Sequence, residues 1–257
     1  MKKIIGAFVA SVIAFSLAAI TPEEVLKKAR TQTTITSMAS DAEVNIQRPV
    51  GTTIESLKLR QYTGKDANGL QSSMIIFMGP AKHKNTRFLM IERADGSTDQ
   101  RVYLPSMGKS RRVAAGSDES AAFFGTDFSY GDISFLTRST DLDTHTFLPD
   151  ETYNGEECYV IESVPKNSKE TYSKSVSKIA KSNNRTLCAE FFDKKGNASK
   201  FLEFKNYKNI DGVDTPMDVT MTTYATGTAT VISIKKIQYG LKVPAAIFTT
   251  RYLETGK

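Results

Sequence analysis

The chain has 257 residues, of which 40% are hydrophobic and 24% charged, and this composition excludes a globally disordered protein. Its 34 basic and 28 acidic residues give a formal net charge of +6, and the lysines are scattered along the chain rather than gathered in one block. A protein that binds nucleic acid is therefore not indicated.

The first segment in chain order, residues 1–19, has the pattern of a secretory signal peptide. Two lysines precede an apolar stretch, Ile4 to Leu17, and small residues follow where a signal peptidase cuts. We place the cleavage after Ala18 or Ala19 and expect residues 20–257 to form a single domain in the periplasm. The alternative is an uncleaved membrane anchor, because the apolar run is nearly long enough to span a bilayer.

The mature chain is predicted to open with a helix and to continue as strands. In TPEEVLKK, Thr21 can cap a helix, Pro22 suits its first position and Glu24 completes a capping box. From about Met38 onward, short runs rich in β-branched and aromatic residues are separated by turn dipeptides such as Asn68-Gly69, the pattern of an antiparallel sheet. We therefore expect an α+β, mainly β fold. The segment YSKSVSKIAK fits either a helix or a polar strand.

The two cysteines, Cys158 and Cys188, stand in two apparent strands. An even number of cysteines in an oxidising compartment is compatible with a disulfide, because the two strands could be neighbours. Two buried free thiols are the equally acceptable alternative.

Candidates for catalysis or metal binding are scarce. His83 and His145 are the only histidines, and neither lies near a second group of ligand-type residues at a recognisable spacing. Hydrolase and nucleotide-binding motifs are absent from the sequence. We predict that the protein is not an enzyme and has no cofactor or metal; a lipid hydrolase would need one of these histidines.

The segment from Val102 to Ile133 is the least ordinary part of the sequence. Arg111 and Arg112 can contact a phosphate or lipid head group, or form ion pairs with nearby acids, for which the candidates are Asp118, Glu119, Asp127 and Asp132. Four aromatic residues follow within eight positions and would make an adhesive surface if all were exposed, namely Phe123, Phe124, Phe128 and Tyr130. We expect them to pack inward, so that the segment forms a lid.

The same segment, YLPSMGKSRRVAAGSDESAAFFGTDFSYGDI, resembles the signature of the periplasmic outer membrane lipoprotein-sorting proteins, the LolA-like family. The matching positions are Tyr103, Leu104, Pro105, Arg111, Arg112, Phe123, Gly125, Asp127, Phe128, Tyr130 and Asp132. The similarity continues in order through CYVIESVPK, FFDKKGNASK and IFTTRYL, and so covers nearly the whole mature chain.

The resemblance implies an incomplete antiparallel barrel of about 11 strands whose concave apolar face is covered by short helices. It also implies a carrier that binds lipids or the acyl chains of lipoproteins and moves them toward the outer membrane. The implied partner is an inner-membrane transporter of the resistance-nodulation-division or lipoprotein-releasing type. We expect a monomer, and the alternative function is an accessory subunit of an exporter or envelope complex with a filled core.

Two groups of site residues follow from this interpretation. The candidates for the cavity or its lid are Met74, Ile76, Met78, Phe88, Met90, Phe123, Phe124 and Phe128. The motif residues expected to fix the loop or contact a head group are Tyr103, Pro105, Arg111, Arg112, Gly125, Asp127, Tyr130 and Asp132.

Overall fold

The computed structural model describes residues 20–31, 36–113, 120–137 and 139–257. The predicted signal peptide and the candidate acids Asp118 and Glu119 lie outside the described residues. The helices are α1 (Pro22–Thr31), α2 (Tyr130–Thr137) and α3 (Thr250–Thr255). The strands are β1 (Ser37–Gln47), β2 (Thr53–Lys65), β3 (Gln71–Gly79), β4 (Arg87–Glu92), β5 (Thr98–Leu104), β6 (Lys109–Arg112), β7 (Asp143–Tyr153), β8 (Glu156–Pro165), β9 (Lys174–Ala180), β10 (Thr186–Phe192), β11 (Ala198–Ile210), β12 (Val213–Thr223) and β13 (Thr228–Tyr239).

In the described part of the chain, the strands form one antiparallel sheet of thirteen in the order β6-β5-β4-β3-β2-β1-β13-β12-β11-β10-β9-β8-β7. The sheet is not closed, because β6 and β7 are its two edges and do not pair with each other. The predicted mainly β, incomplete barrel is therefore confirmed, with thirteen strands instead of about eleven. The ambiguous segment YSKSVSKIAK contains β9, so its strand alternative is the one observed.

The two faces of the sheet are covered differently. We call the face that carries Val44, Leu57 and Phe88 the inner face, because the segment from residue 120 to 133 and the first two helices lie over it. The third helix packs on the outer face, where Leu253 contacts Met74 and Leu89. Since side chains alternate along a strand, each of β3 and β4 directs one set of residues to the inner face and the other set to the outer face.

Helix α1 begins as the sequence predicts. The Glu24 backbone N–H donates to Thr21 Oγ1 at 3.2 Å, and the Thr21 N–H donates to Glu24 Oε2 at 3.1 Å, which together form a capping box. The helix buries Val25 against the inner face of β8 and β9 near Ile161 and Ile179. It thus covers the inner face far from the segment that follows β6.

In the structure the two cysteines are free and buried, as in the second alternative. Strand β9 lies between the strands that carry Cys158 and Cys188. Two inter-strand spacings amount to roughly 9.5 Å, and a disulfide requires Cα atoms within about 7 Å. Burial raises the pKa of the Cys188 thiol to about 12, so that it stays protonated.

Within the described ranges, no helix is both long and apolar enough to cross a membrane.

Candidate functional site

Residues 120–133, which we call the lid loop, fold back on themselves over the inner face. Phe124 and Gly125 both have left-handed backbone conformations, with φ of 50° and 77°, as the two central residues of a type I′ turn require. The Thr126 N–H donates to the Phe123 carbonyl at 3.1 Å, and the Phe123 N–H donates to the Phe128 carbonyl at 2.7 Å. The Phe-Gly pair of the sequence motif therefore makes a tight reversal that turns two phenylalanines toward the sheet.

Asp127 fastens the lid loop to the sheet through its buried carboxylate. Its Oδ2 accepts from Arg48 Nη1 at 2.9 Å, and the other donors to the carboxylate are the hydroxyls of Thr223, Thr228 and Thr230, at 2.6 to 2.8 Å. Burial alone would raise the pKa of Asp127, but these hydrogen bonds outweigh it and hold the pKa below its usual value. The carboxylate therefore remains charged and ties the loop to β12, to β13 and to the β1–β2 connection that carries Arg48.

Asp132 fastens the other end of the lid loop. Its Oδ2 accepts from the Ser129 N–H at 2.7 Å while Ser129 Oγ accepts from the Asp132 N–H at 3.1 Å, so the pair caps the start of α2. The same carboxylate accepts from the Tyr172 hydroxyl and from Lys200 Nζ, both at 2.6 Å. Burial and the neighbouring Asp132 raise the pKa of Tyr172, which keeps the donating hydroxyl protonated.

The aromatic residues of the lid loop pack against aromatic residues of the sheet. The Phe123 ring lies 5.1 Å from that of Phe88 and 5.3 Å from that of Tyr130, both edge to face. Phe124 lies 4.5 Å from Phe77 and is only partly buried. Centroid separations of this size are typical of stabilising aromatic pairs. The lid is thus held by apolar contact in its middle and by charged hydrogen bonds at its ends.

Between the lid loop and the inner face lies a cavity of about 210 Å³. Its lining residues are Ser40, Ala42, Val44, Leu57, Leu59, Gln61, Gln71, Ser73, Ile75, Phe88, Met90, Phe123, Thr126, Phe128, Ile133 and Ile232. None of these side chains is ionisable. The cavity can therefore hold an apolar group without burying a charge.

The lining changes in character along the strands. Val44 on β1 is paired with Leu57 on β2, and this part of the cavity lies beneath Phe123 and Phe128. Four residues earlier in β1, Ser40 is paired with Gln61, whose side-chain N–H donates to Ser73 Oγ at 3.0 Å. The cavity is thus apolar near the lid aromatics and carries neutral hydrogen-bonding groups at its other end.

The sequence-predicted cavity residues divide between several places. Phe88, Met90, Phe123 and Phe128 line the cavity. Phe124 packs on Phe77 beside it. Met74 and Ile76 lie on the outer face against α3, which corrects their assignment to the cavity.

Met78 also lies outside the cavity, because it stands at a bulge of β3 and is 44% exposed. Sequence reasoning selected the wrong alternating set of MIIFM, since both sets are apolar. Within MIIFM, Ile75 is the residue that lines the cavity. Its side chain points to the inner face, as does that of Phe77. The lining residues of β1 and β2 were not predicted from the sequence. The alternation of apolar and polar residues in EVNIQRP and IESLKLRQY could have indicated which of them face inward.

The motif residues before the lid loop have structural contacts on the outer face. Arg112 Nε lies 2.8 Å from Asp99 Oδ1, and this carboxylate was not among the predicted partners. Asp127 and Asp132 instead pair with Arg48 and Lys200, so their proposed pairing with the twin arginines is corrected.

The other motif residues of this segment are Arg111, Tyr103 and Pro105. Arg111 is exposed on the edge strand β6, where its partner is the inner-face residue Val102. Tyr103 packs against the α3 cluster with the Arg87 guanidinium 5.1 Å from its ring centre, and Pro105 begins a short 3-10 turn before β6.

Neither histidine lies in the cavity. His145 is buried, with Nδ1 2.8 Å from Ser163 Oγ and Nε2 2.9 Å from the Thr140 carbonyl. His83 lies 3.2 Å from Glu55 in the β3–β4 connection. Among the described residues, no group of three His, Cys, Asp or Glu side chains could hold a metal ion.

Comparison with known proteins supports this description of the fold. A family model described as "Uncharacterized protein" matches residues 69–255, which is more than half of the chain. A search of curated proteins finds no significant match.

Three solved structures superpose on nearly the whole chain. A DUF1329 family protein from Desulfovibrio piger has 27% identity and a TM-score of 0.84, covering 90% of this chain and 97% of its own. A domain described as an outer membrane lipoprotein-sorting protein, from Vibrio parahaemolyticus, has 24% identity and a TM-score of 0.81 with the same coverage. A LolA superfamily protein from Nitrosomonas europaea has 22% identity and a TM-score of 0.73, covering 91% of this chain and 100% of its own.

Proposed function

Because the chain belongs to the family whose model matches residues 69–255 and has the fold of LolA-superfamily structures, we propose that it is a non-enzymatic carrier for acyl chains of lipids or lipoproteins. The observation that supports this best is the cavity between the lid loop and the inner face. An accessory protein with a filled core would not need such a space.

The size of the cavity sets what it holds in this state. At about 210 Å³ it exceeds the roughly 150 Å³ apolar cavity that accommodates benzene, and it is smaller than the roughly 300 Å³ at which small-molecule sites begin. One segment of a single acyl chain fits this volume. The rest of a longer chain would extend beyond the lining residues.

The polarity of the lining orients the cargo. Each buried methylene contributes about 0.8 kcal/mol, so the chain lies in the apolar part beneath Phe123 and Phe128. Ser40, Gln61 and Ser73 then face the other end of the cargo, where they can donate to or accept from an ester, amide or hydroxyl group. A free carboxylate finds no cation among the lining residues, so a neutral acyl ester or amide is the favoured cargo.

The hydrogen bonds of Asp127 and Asp132 support a lid that closes in one defined position. Both carboxylates bind groups on the sheet, and neither lines the cavity. Cargo can therefore be retained by apolar contact while the closed position of the lid is specified by polar contacts. Release would require these polar contacts to break.

The compartment and route are part of the proposal. We place the carrier in the periplasm after removal of residues 1–19, with the remaining chain acting as one domain between an inner-membrane transporter and the outer membrane. N-terminal sequencing of the exported protein tests this directly. It should give Ala19 or Ile20 as the first residue, and a protein that begins with Met1 in the membrane fraction contradicts it.

Filling the cavity tests the carrier function. Ala42 on β1 lines the cavity, whereas Ala39 on the same strand points to the outer face. We expect Ala42→Leu to lose most of the lipid that co-purifies with the protein and to bind a fluorescent acyl-chain probe at least about tenfold more weakly. Ala39→Leu is the matched control and should retain both.

The measurements are lipid mass spectrometry after gentle purification and probe titration of the delipidated protein, with circular dichroism to check folding. Equal lipid content in both folded variants would contradict the proposal. So would the absence of lipid from the unsubstituted protein under several gentle preparations.

A further inference from the structure

The exposed apolar side chains of the described residues are concentrated at one end of the sheet. This end, which we call the lid end, is formed by the connections β1–β2, β3–β4, β10–β11 and β12–β13, next to the lid loop. Four large side chains lie here, in the connections or at the nearby strand ends: Val50 is 54% exposed, Ile54 62%, Met78 44% and Tyr224 44%. The hairpins are in contact, because the Val50 N–H donates to the Gly227 carbonyl at 3.1 Å. We refer to these four exposed side chains together as the apolar patch.

Lysines flank this patch on both sides. Lys82 and Lys84 lie in the β3–β4 connection, Lys194 and Lys195 lie in the β10–β11 turn, and all four are exposed. Lys194 Nζ donates to the Ser168 carbonyl, which leaves its charge in place. At the opposite end, the basic residues of the β4–β5 and β9–β10 turns are ion-paired, Arg93 with Asp99, Lys181 with Asp150 and Arg185 with Asp214. Lys82 is likewise paired with Glu55, so Lys84, Lys194 and Lys195 supply the positive charge beside the apolar patch.

We propose that the lid end docks on an anionic lipid bilayer, with the four apolar side chains entering the interface and the lysines contacting phosphate groups. The combination of exposed apolar residues with surrounding lysines suits this partner, because apolar burial and attraction to anionic lipid add together. A protein partner is less favoured, since interfaces are depleted in lysine. Docking of this kind does not depend on the cavity holding a lipid.

The docked orientation would bring the membrane next to a lid fastening. Arg48, which binds Asp127, immediately precedes the cis proline of the β1–β2 hairpin that carries Val50. The Arg48 guanidinium also donates to the Gly125 carbonyl at 2.9 Å. A bilayer at the lid end therefore contacts the hairpin to which the lid loop is attached.

Vesicle flotation tests this surface. The purified protein should float with vesicles of phosphatidylethanolamine and phosphatidylglycerol at 3:1, and not with vesicles of phosphatidylcholine alone. Floating should decline at high salt, because screening weakens attraction between exposed charges. Each lysine near such a surface contributes about fivefold to partitioning, so Lys84→Glu with Lys195→Glu should weaken it at least about twentyfold. Val50→Asp with Ile54→Asp should abolish it.

Matched controls separate this surface from general effects. Ala67→Asp alters an exposed apolar residue in the turn after β2, at the opposite end of the sheet, and Lys242→Glu alters an exposed lysine after β13, also at that end. Both should float like the unsubstituted protein.

The proposal is overturned if folded protein does not float, if it floats equally with phosphatidylcholine, or if the patch variants float normally. It is also overturned if Ala42→Leu abolishes floating, since the cavity would then be taking up vesicle lipid. Normal floating of Ala42→Leu together with its loss of acyl-probe binding would support two separate surfaces.

Discussion

Strands β3 and β4 are covered on both faces, and the two covers are built by different means. On the outer face, Leu253 of α3 packs directly on Met74 and Leu89, and all three are almost fully buried. On the inner face, the lid loop leaves a cavity of about 210 Å³ and is fastened at its ends by the carboxylates of Asp127 and Asp132.

The difference shows how a segment can cover one face of a sheet and still leave a cavity between itself and the strands. Apolar packing stabilises a cover only in proportion to the surface it buries, so a well-packed cover leaves no room. Charged hydrogen bonds at the margin are directional and can fix a segment at a distance from the sheet. The outer cover is therefore packed throughout, whereas the inner cover packs Phe123 and Phe128 on the sheet and leaves a cavity beside them.

The largest effect should come from breaking the outer cover. Leu253→Ala removes a fully buried side chain and should cost about 2–5 kcal/mol of the free energy of unfolding. Acyl-probe affinity of the protein that remains folded should change little. Urea unfolding and probe titration measure the two quantities, and a large loss of affinity without loss of stability would contradict the division between the covers.

A smaller effect is expected at the inner cover. Asp127→Asn keeps the shape of the side chain but removes the charge that accepts from Arg48 and the threonine hydroxyls, a loss of about 1.5–3 kcal/mol. Bound acyl probe should exchange faster, because the closed lid is less favoured. Stopped-flow displacement measures the rate.

Asp218→Asn is the matched control for this substitution. Asp218 also has a lowered pKa and accepts from Ser233, but it lies on the outer face of β12. Equal acceleration in both variants would show that probe exchange depends on the overall stability of the protein and not on the position of the lid loop.

The turn of the lid loop gives a third, weaker test. Gly125→Ala adds a Cβ that meets no atom within 4 Å, but the residue has φ of 77°. The cost is therefore conformational and amounts to about 1 kcal/mol. Probe exchange should accelerate modestly, and Gly155→Ala, at a turn with φ of 84° and equally open space, should lose similar stability without faster exchange.

The smallest effect is a pH dependence. The pKa of Asp127 is lowered in the folded protein, so its contribution is fully present above the ordinary carboxyl pKa of about 3.9 and is lost as pH falls through the folded value. Probe exchange should be constant from pH 8 to 5 and should begin to accelerate only below about pH 4. The acceleration should be absent from Asp127→Asn, and an unchanged acceleration in that variant would assign it to other groups.

Much of the fold was predictable because its signals are local. The capping box of α1, the hairpin turns and the lid segment all depend on residues close together in sequence. The two edge strands were harder, because KSRR and DTHTFLPDETY do not alternate apolar with polar residues as a half-buried strand does.

The site was predictable only in part, because its geometry depends on distant residues. Nothing near Asp127 in sequence indicates that Arg48 or Thr230 would bind it, since these residues are 79 and 103 positions away in the chain. Likewise, MIIFM is apolar on both sides, so the choice between Met74 and Ile75 depends on which cover each face receives. Only the assembled sheet supplies that information.

The open sheet leaves two strand edges, and their composition bears on how the protein remains dispersed. Edge β6 is only four residues long and reads Lys-Ser-Arg-Arg, and edge β7 contains Pro149 at an irregularity in its pairing, next to Asp150 and Glu151. Short length, charge and proline each hinder a second molecule from adding a strand. The sheet can thus remain open along one side without offering its edges as templates for fibrils.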